Sequence, residues 1–522
     1  MLFRLLLIAL LPACVAAQGT NLRIGLAADI TSLDPHYINI GSNNNALWHV
    51  YEALTHVNAD ARLVPGLAET WKAVDKTTWE FRLRRGVRFH DGSELVPEDV
   101  IASIERARAV EKSGGQFGSF TRAIVEMKVV QPNGVMFRTA TPYAMLPYDL
   151  YSIFIVSRKS QAATTEDFNA ARIAPDGRPV IAGTGPFQLV AFKRGDRVEL
   201  ARNDAYWGAK PAFATASLRI LPADGPRLAA MLAGDVDMIE SIPTTDAARL
   251  KKDPKLILAQ KVSWRTIFFH MDQARANPPG VTAKDGKPLA KNPFTDVRVR
   301  QAISKAINRS AIAERVMDGL AVPAANVVAP TVFGHEPGLK PDALDLDGAK
   351  KLLADAGFPD GFAFTLAAPN NRYVNDDQIA QAVAQMLTRV GLHVKVETHP
   401  AATYFTKARN GDFAFAMLGW GSFSGDLALR ALLATPNVEK GYGTWNWGKF
   451  SLPRVDELLA AGFQNPDDKK REAGAQEAAT LALRTFGLIP LHHQVATWAM
   501  KQGLAYDGRT DEYTLAQHVR AK

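Results

Sequence analysis

The chain has 522 residues, 47% hydrophobic and 22% charged, with a formal net charge of +8 at pH 7 and one cysteine. That length exceeds what one hydrophobic core supports, so two or three domains of an ordinary globular protein are expected. Lys and Arg are scattered, without a basic tail or a run of five like charges, which argues for a solvated surface and against nucleic acid or anionic membrane as a partner.

Residues 1–17 have the pattern of a signal peptide: Arg4, an apolar run over 5–11, then Val15-Ala16-Ala17 as a small-residue cleavage site, with Gln18 starting the mature chain. Cys14 offers the competing reading of an acylated lipoprotein signal. Pro12 is unusual inside such a box, so simple cleavage is preferred. The mature chain would then carry a net charge of +7 and no cysteine, excluding disulfides, thiol catalysis and thiolate metal sites. No other stretch approaches 18 apolar residues, the length a membrane-spanning helix needs.

Strand and helix signals then alternate, which predicts an α/β architecture. The polar run Gly41-Ser42-Asn43-Asn44-Asn45 precedes a helix predicted over 46–54, and its amides are candidates to reach a ligand or to cap that helix. Residues 78–83 alternate as a strand, and Pro97 opens a helix with Val100, Ile101 and Ile104 on its apolar face. Two hairpins follow, 125–130 with 135–138 around Asn133-Gly134, and 187–192 with 197–201 around Gly195-Asp196. A helix over 224–233 feeds a short strand over 236–239, and residues 277–293, rich in Pro, Gly and Lys, read as a surface insertion. Helices are expected at 297–307, 347–356, 378–390 and 469–485, with strands at 362–367, 393–398 and 413–418 between them.

Catalytic motifs are absent: no Gly-x-Ser-x-Gly elbow, no His-Glu-x-x-His, no phosphate loop and no dinucleotide fingerprint. Gly183-Thr184-Gly185 runs into Pro186, so it cannot open a dinucleotide-binding helix. His90-Asp91-Gly92-Ser93 reads as a turn rather than half of an acid/base pair. His492 and His493 are adjacent on a strand and so point to opposite faces, a poor arrangement for one metal ion. No enzyme activity, cofactor or metal is expected.

The ligand candidates lie at strand ends. Gly419-Trp420-Gly421-Ser422-Phe423-Ser424-Gly425-Asp426 joins an apolar strand to a helix over 427–433, placing an aromatic plate and exposed N–H groups at one mouth. Asp426 is equally a helix cap and a ligand group. Arg372-Tyr373 sits in a polar link between strand 362–367 and helix 378–390, where a guanidinium beside an aromatic ring suits a carboxylate or phosphate. Trp445 and Asn446, in Gly441-Tyr442-Gly443-Thr444-Trp445-Asn446-Trp447, read either as a ligand wall or as a packed surface loop.

Several blocks recur in an order that resembles a known family. They include Leu83-Arg84-Arg85-Gly86-Val87-Arg88-Phe89-His90-Asp91-Gly92-Ser93 running into Pro97-Glu98-Asp99-Val100, then Gly183-Thr184-Gly185-Pro186-Phe187, Asn203-Asp204-Ala205-Tyr206-Trp207, and Phe294-Thr295-Asp296-Val297-Arg298-Val299-Arg300-Gln301-Ala302-Ile303. With Gly419-Trp420, these are similar to the family 5 extracellular solute-binding proteins of dipeptide, oligopeptide and nickel ABC importers. The resemblance implies a two-lobed periplasmic-binding-protein fold with a small inserted α/β domain. Lobe I would comprise 18–55, 184–270 and 487–522; the insertion 56–183; and lobe II 271–486. It implies a periplasmic, monomeric receptor that delivers a peptide-like or other small anionic solute to a permease and ATPase complex in the inner membrane.

By the same resemblance Arg372 would grip a ligand carboxylate and Trp420 would line the pocket. Phe423 departs from the pattern: peptide-binding relatives carry there an Asp that pairs with the peptide's ammonium, which a phenyl ring cannot do. The loop is nearer to that of glutathione-type relatives. The implied alternatives are therefore a glutathione-like or modified peptide, then a nickel complex, with a secreted hydrolase distant. Ser42, Asn43, Tyr373, Asp426, Trp445 and Asn446 complete the expected ligand-facing set.

Overall fold

A computed structural model describes residues 21–110, 117–175, 177 and 179–522; the leader reading, including Cys14, falls outside the described residues. Twelve strands form one mixed sheet. Its two longest members, Leu256–Met271 and Ile489–Lys501, run antiparallel at its centre. On one side Ile489–Lys501 pairs with Met238–Glu240, which leads through Asn21–Leu26 to Thr215–Ile220 and the hairpin Phe187–Lys193 with Arg197–Arg202. On the other, Leu256–Met271 pairs with Phe415–Trp420, which leads to Ala363–Pro369 and His393–His399. The two long strands therefore connect two separate groups of shorter ones.

Successive side chains of a strand point to opposite faces, and burial assigns the two faces to different cores. Ile267, Phe269, Phe415 and Phe364 pack with Phe294 and Phe362 beneath the helices Val297–Ala306 and Asp376–Thr388. Ile24, Leu218, Trp498 and Met500 belong to a second core, which Leu47 and Trp48 of helix Gly41–Val50 share. A third core, drawn from residues between Leu54 and Ala182, fills the space between helix Pro97–Ala109 and an antiparallel sheet of Ala68–Ala73, Thr78–Leu83, Gly134–Thr139 and Ile124–Val130.

The ladder of the two long strands is irregular at two places, and the wider break lies at Ser263–Arg265. Val262 pairs with Val495 and Thr266 with His493, so Ser263, Trp264 and Arg265 stand opposite Gln494 alone. Such a bulge bends the strand and re-aims its side chains. Here it turns Arg265 toward a cavity between the two strand groups.

One expectation shifts in register. Helix Gly41–Val50 begins five residues before the predicted start, so Ser42 and Asn43 lie inside its first turn rather than ahead of it.

Candidate functional site

The cavity measures about 530 Å³. Its floor is the bulge and the strand facing it, with Arg265, Gln494 and Thr497. One wall is Ser241–Thr245, anchored because Thr497 accepts the Ser241 N–H at its carbonyl and the Ile242 N–H at Oγ1, both at 2.9 Å. The opposite wall is the link Arg372–Asn375, with Met317 and Leu320 beside it, and Glu512 closes the end.

The Arg372 link is held rigidly. Asp376 Oδ2 accepts the N–H groups of Arg372 and Tyr373 at 2.9 and 3.0 Å, and the Tyr373 hydroxyl donates to the Gly419 carbonyl at 3.1 Å. Asn375, at φ 54°, donates to the Val316 carbonyl at 2.7 Å and across the cavity mouth to Thr244 Oγ1 at 3.2 Å. Gly419 has no room for a side chain: a Cβ there would stand 2.6 Å from the Tyr373 ring and 2.7 Å from Ile267. The Gly-Trp strand end thus shapes the pocket through Tyr373.

Arg372 is the group with unspent capacity. Its guanidinium lies 5.2 Å from the Tyr373 ring centre and makes no ion pair or side-chain hydrogen bond among the described residues. Burial, and after it the nearby Arg265 charge, lower its pKa, so this cation sits in a site short of negative charge. Arg265 itself is paired: Nε and Nη2 donate to the two oxygens of Glu512 at 3.2 and 2.8 Å.

Of the nine expected ligand residues, the cavity wall brings together Arg372 and Tyr373. Trp420 and Trp445 face each other at 5.4 Å, and Trp447 continues the row 5.7 Å beyond Trp445. Phe423 stacks on Tyr148 at 5.8 Å and 10°. Asp426 is the second residue of helix Gly425–Leu432, with Ser424 at the cap position. The Asp426 side chain accepts from Ser424 Oγ, and its Oδ2 lies 2.8 Å from Arg471 Nε, a charge contact outside hydrogen-bond alignment. Asn446 donates to the Ala434 and Phe450 carbonyls and accepts from Phe450 N–H, closing a turn. Asn43 is fully buried and bonds to Thr31, while Ser42 is half-buried on the same helix. Sequence reasoning missed Arg265, Glu512, Thr244 and Gln494. The available signal was a charged residue inside an apolar strand, Trp264-Arg265-Thr266-Ile267, which marks a side chain with somewhere to go.

No cluster of three or more metal-ligating side chains occurs among the described residues. His493 Nδ1 meets Thr266 Oγ1 at 2.8 Å, and burial lowers the pKa of His492 to about 4 and of His493 to about 3.

A family model described as "Bacterial extracellular solute-binding proteins, family 5 Middle" matches residues 62–431. The chain is a family 5 solute-binding protein. Similar members include a dipeptide-binding protein of Escherichia coli (strain K12), 29% identical with 78% of this chain and 77% of that protein covered. Heme-binding protein A of Haemophilus influenzae is 26% identical with 87% and 83% covered, and the glutathione-binding protein GsiB of Salmonella choleraesuis is 26% identical with 93% and 90% covered. Among solved structures, HbpA2 from Haemophilus parasuis superposes with a TM-score of 0.81 at 23% identity, covering 96% of this chain and all of that one. DppA from Helicobacter pylori, in complex with the peptide STSA, gives 0.73 at 21%, covering 96% and 98%. This solute-binding protein therefore has the two-lobed α/β fold of the family, and its relatives are binding proteins rather than enzymes.

Proposed function

We propose that this solute-binding protein is the periplasmic receptor of an ABC importer. It takes a small, anionic, peptide-like solute into the cavity between its lobes and presents it to a membrane permease. In this reading residues 18–55, 184–270 and 487–522 form one lobe and 271–486 the other, with 56–183 inserted. The strands Leu256–Met271 and Ile489–Lys501 act as the hinge between them. Ligand contacts to both sides then favour the closed form, since only differential contacts shift such an equilibrium.

The observation that carries the reading is the Arg372 guanidinium, without a polar partner among the described residues, on the wall of a 530 Å³ cavity. A bidentate pair with a carboxylate in a partly desolvated site contributes about 2–3 kcal/mol. Arg372→Ala should therefore weaken binding of the best solute by roughly 30- to 150-fold. The measurement is a thermal-shift screen of peptides, glutathione, other anionic metabolites and nickel, followed by calorimetry of the strongest hit. An unchanged Kd in the variant would remove Arg372 from the site. A stronger shift from a metal complex than from any anion would favour the carrier alternative.

A further inference from the structure

The cavity contains a second charged unit that the Arg372 reading leaves unused. Ser263 Oγ donates to Glu512 Oε1 at 2.6 Å and accepts the Arg265 N–H at 2.9 Å, so one hydroxyl locks the bulge to the acid. With the two bonds from Arg265, Glu512 accepts three hydrogen bonds, and a carboxylate has about four acceptor sites. Arg265 Nη1 has no hydrogen bond among the described residues. Each partner thus keeps capacity, and both line the cavity with Arg372.

The pair is also built at a cost. Glu512 holds φ at 68°, in the left-handed region, which a non-glycine residue occupies at about 1–3 kcal/mol. Its turn is fixed from behind by the buried Arg509–Asp511 ion pair, and Arg509 Nη2 also donates to the Val57 carbonyl at 2.8 Å. Ser241 and Asn375, both on the cavity wall, likewise have positive φ. A salt bridge serving only to tether the C-terminal segment needs neither the strained backbone nor side chains left 19% and 31% exposed.

Charge then narrows the occupant. Arg265 and Glu512 cancel, and the wall's other acid, Asp224, is taken by Arg227 at 2.6 Å, which leaves the Arg372 charge over. The complement is a solute of net charge −1. We propose that the Arg265–Glu512 pair is a second recognition unit, which with Arg372 selects a peptide-like solute bearing two carboxylates and one ammonium. One carboxylate meets Arg372, the other meets Arg265 Nη1, and the ammonium takes the remaining acceptor site of Glu512. The ammonium partner missing at Phe423 is thereby supplied from the other end of the chain. This inference rests on the anionic-solute reading above.

Calorimetry on the full mature chain tests it, with glutathione as the probe, since it carries the two carboxylates and the ammonium. N-acetylglutathione and the glycyl monoethyl ester are the masked forms. In the wild type each mask should weaken binding about tenfold or more. In Glu512→Gln the acetylation penalty should shrink to within twofold, and in Arg265→Lys the esterification penalty should shrink if the glycyl carboxylate is the one on Arg265. If Arg265→Lys leaves it intact, Arg372→Ala should abolish it. A wild type indifferent to acetylation overturns the proposal whether or not the variants fold. So does an acetylation penalty that survives in a folded Glu512→Gln. Either result leaves the Arg372 reading standing if Arg372→Ala still loses affinity. No glutathione binding at millimolar concentration overturns the solute class, and the broader screen then decides the anionic reading separately.

Discussion

At the scale of single residues, the clearest division of labour lies between two charges that look alike in sequence, Arg372 and Asp426. Asp426 is 1% exposed and pairs with Arg471, itself 1% exposed at its side chain, whose guanidinium also lies 4.6 Å from the Tyr148 ring and 4.7 Å from Phe333. Burial pushes the Asp426 carboxyl up, and Arg471 opposes that shift. Removing one partner of a buried pair costs about 3–5 kcal/mol, because the other is left charged without compensation. Arg471 keeps Asp468 at 3.0 Å, so Asp426→Ala should fall at the low end, near 3 kcal/mol of unfolding free energy in urea. Solute affinity should change less than threefold, since the carboxylate is not on the cavity wall. A tenfold affinity loss at unchanged stability would make Asp426 a ligand group. The sequence left cap and ligand roles balanced because Arg471, the buried partner of Asp426, arrives from a later helix.

At the scale of elements, what was legible was what is locally determined. The hairpins at Asn133-Gly134 and Gly195-Asp196 and the helix Asp224–Ala233 follow from turn chemistry and apolar spacing, and they form where expected. The strand Leu256–Met271 went unread because Gln260, Lys261 and Arg265 interrupt its alternation, whereas Ile489–Lys501 was read as a strand only at its start, around His492 and His493. Pairing with each other and with the neighbouring strands completes both, and pairing is not a local property. Gly41–Val50 is the converse case: Asn43 is stable in a buried first turn because Thr31 satisfies its amide. The strand Phe415–Trp420 permits a sharper test, because its end is coupled to the pocket through Tyr373. Gly419→Ala would place a Cβ within 2.7 Å of two packed side chains, an overpacking that costs about 1–3 kcal/mol. Relief by moving the Tyr373 ring would disturb the Arg372 link, so stability and solute affinity should fall together. Full affinity in a destabilised Gly419→Ala protein would show that strand end and pocket are independent.

At the scale of the whole molecule, the titration of buried groups predicts a stability profile that no single site reveals. Burial holds eight histidines neutral: the pKa falls to about 4 for His36, His49, His90, His492 and His518, and to about 3 for His56, His270 and His493. Unfolded histidine titrates near 6.5, so between 6.5 and those values the unfolded chain binds more protons, and stability is lost as the pH falls. Buried carboxyls act in the opposite sense: burial raises Asp99, Glu240, Asp426 and Asp511, and two further acids with them. Burial raises Glu52 from 4.5 to about 7 and Asp149 from 3.8 to about 7, so the folded chain binds more protons over that range and gains stability on acidification. The eight histidines outnumber the six raised carboxyls, the lowered carboxyls of Asp34 and Glu512 act in the same sense as the histidines, and the excess of basic over acidic residues adds repulsion as carboxylates are neutralised. The thermal midpoint should therefore be highest near neutral pH and fall steadily from about pH 6.5 toward pH 4. Scanning calorimetry of the solute-free protein at pH 7, 6, 5 and 4.5 checks this. A midpoint at pH 5 equal to or above that at pH 7 would mean that most of these histidines are protonated in the folded state, which requires solvent or acidic partners inside cores that the structure packs with apolar side chains.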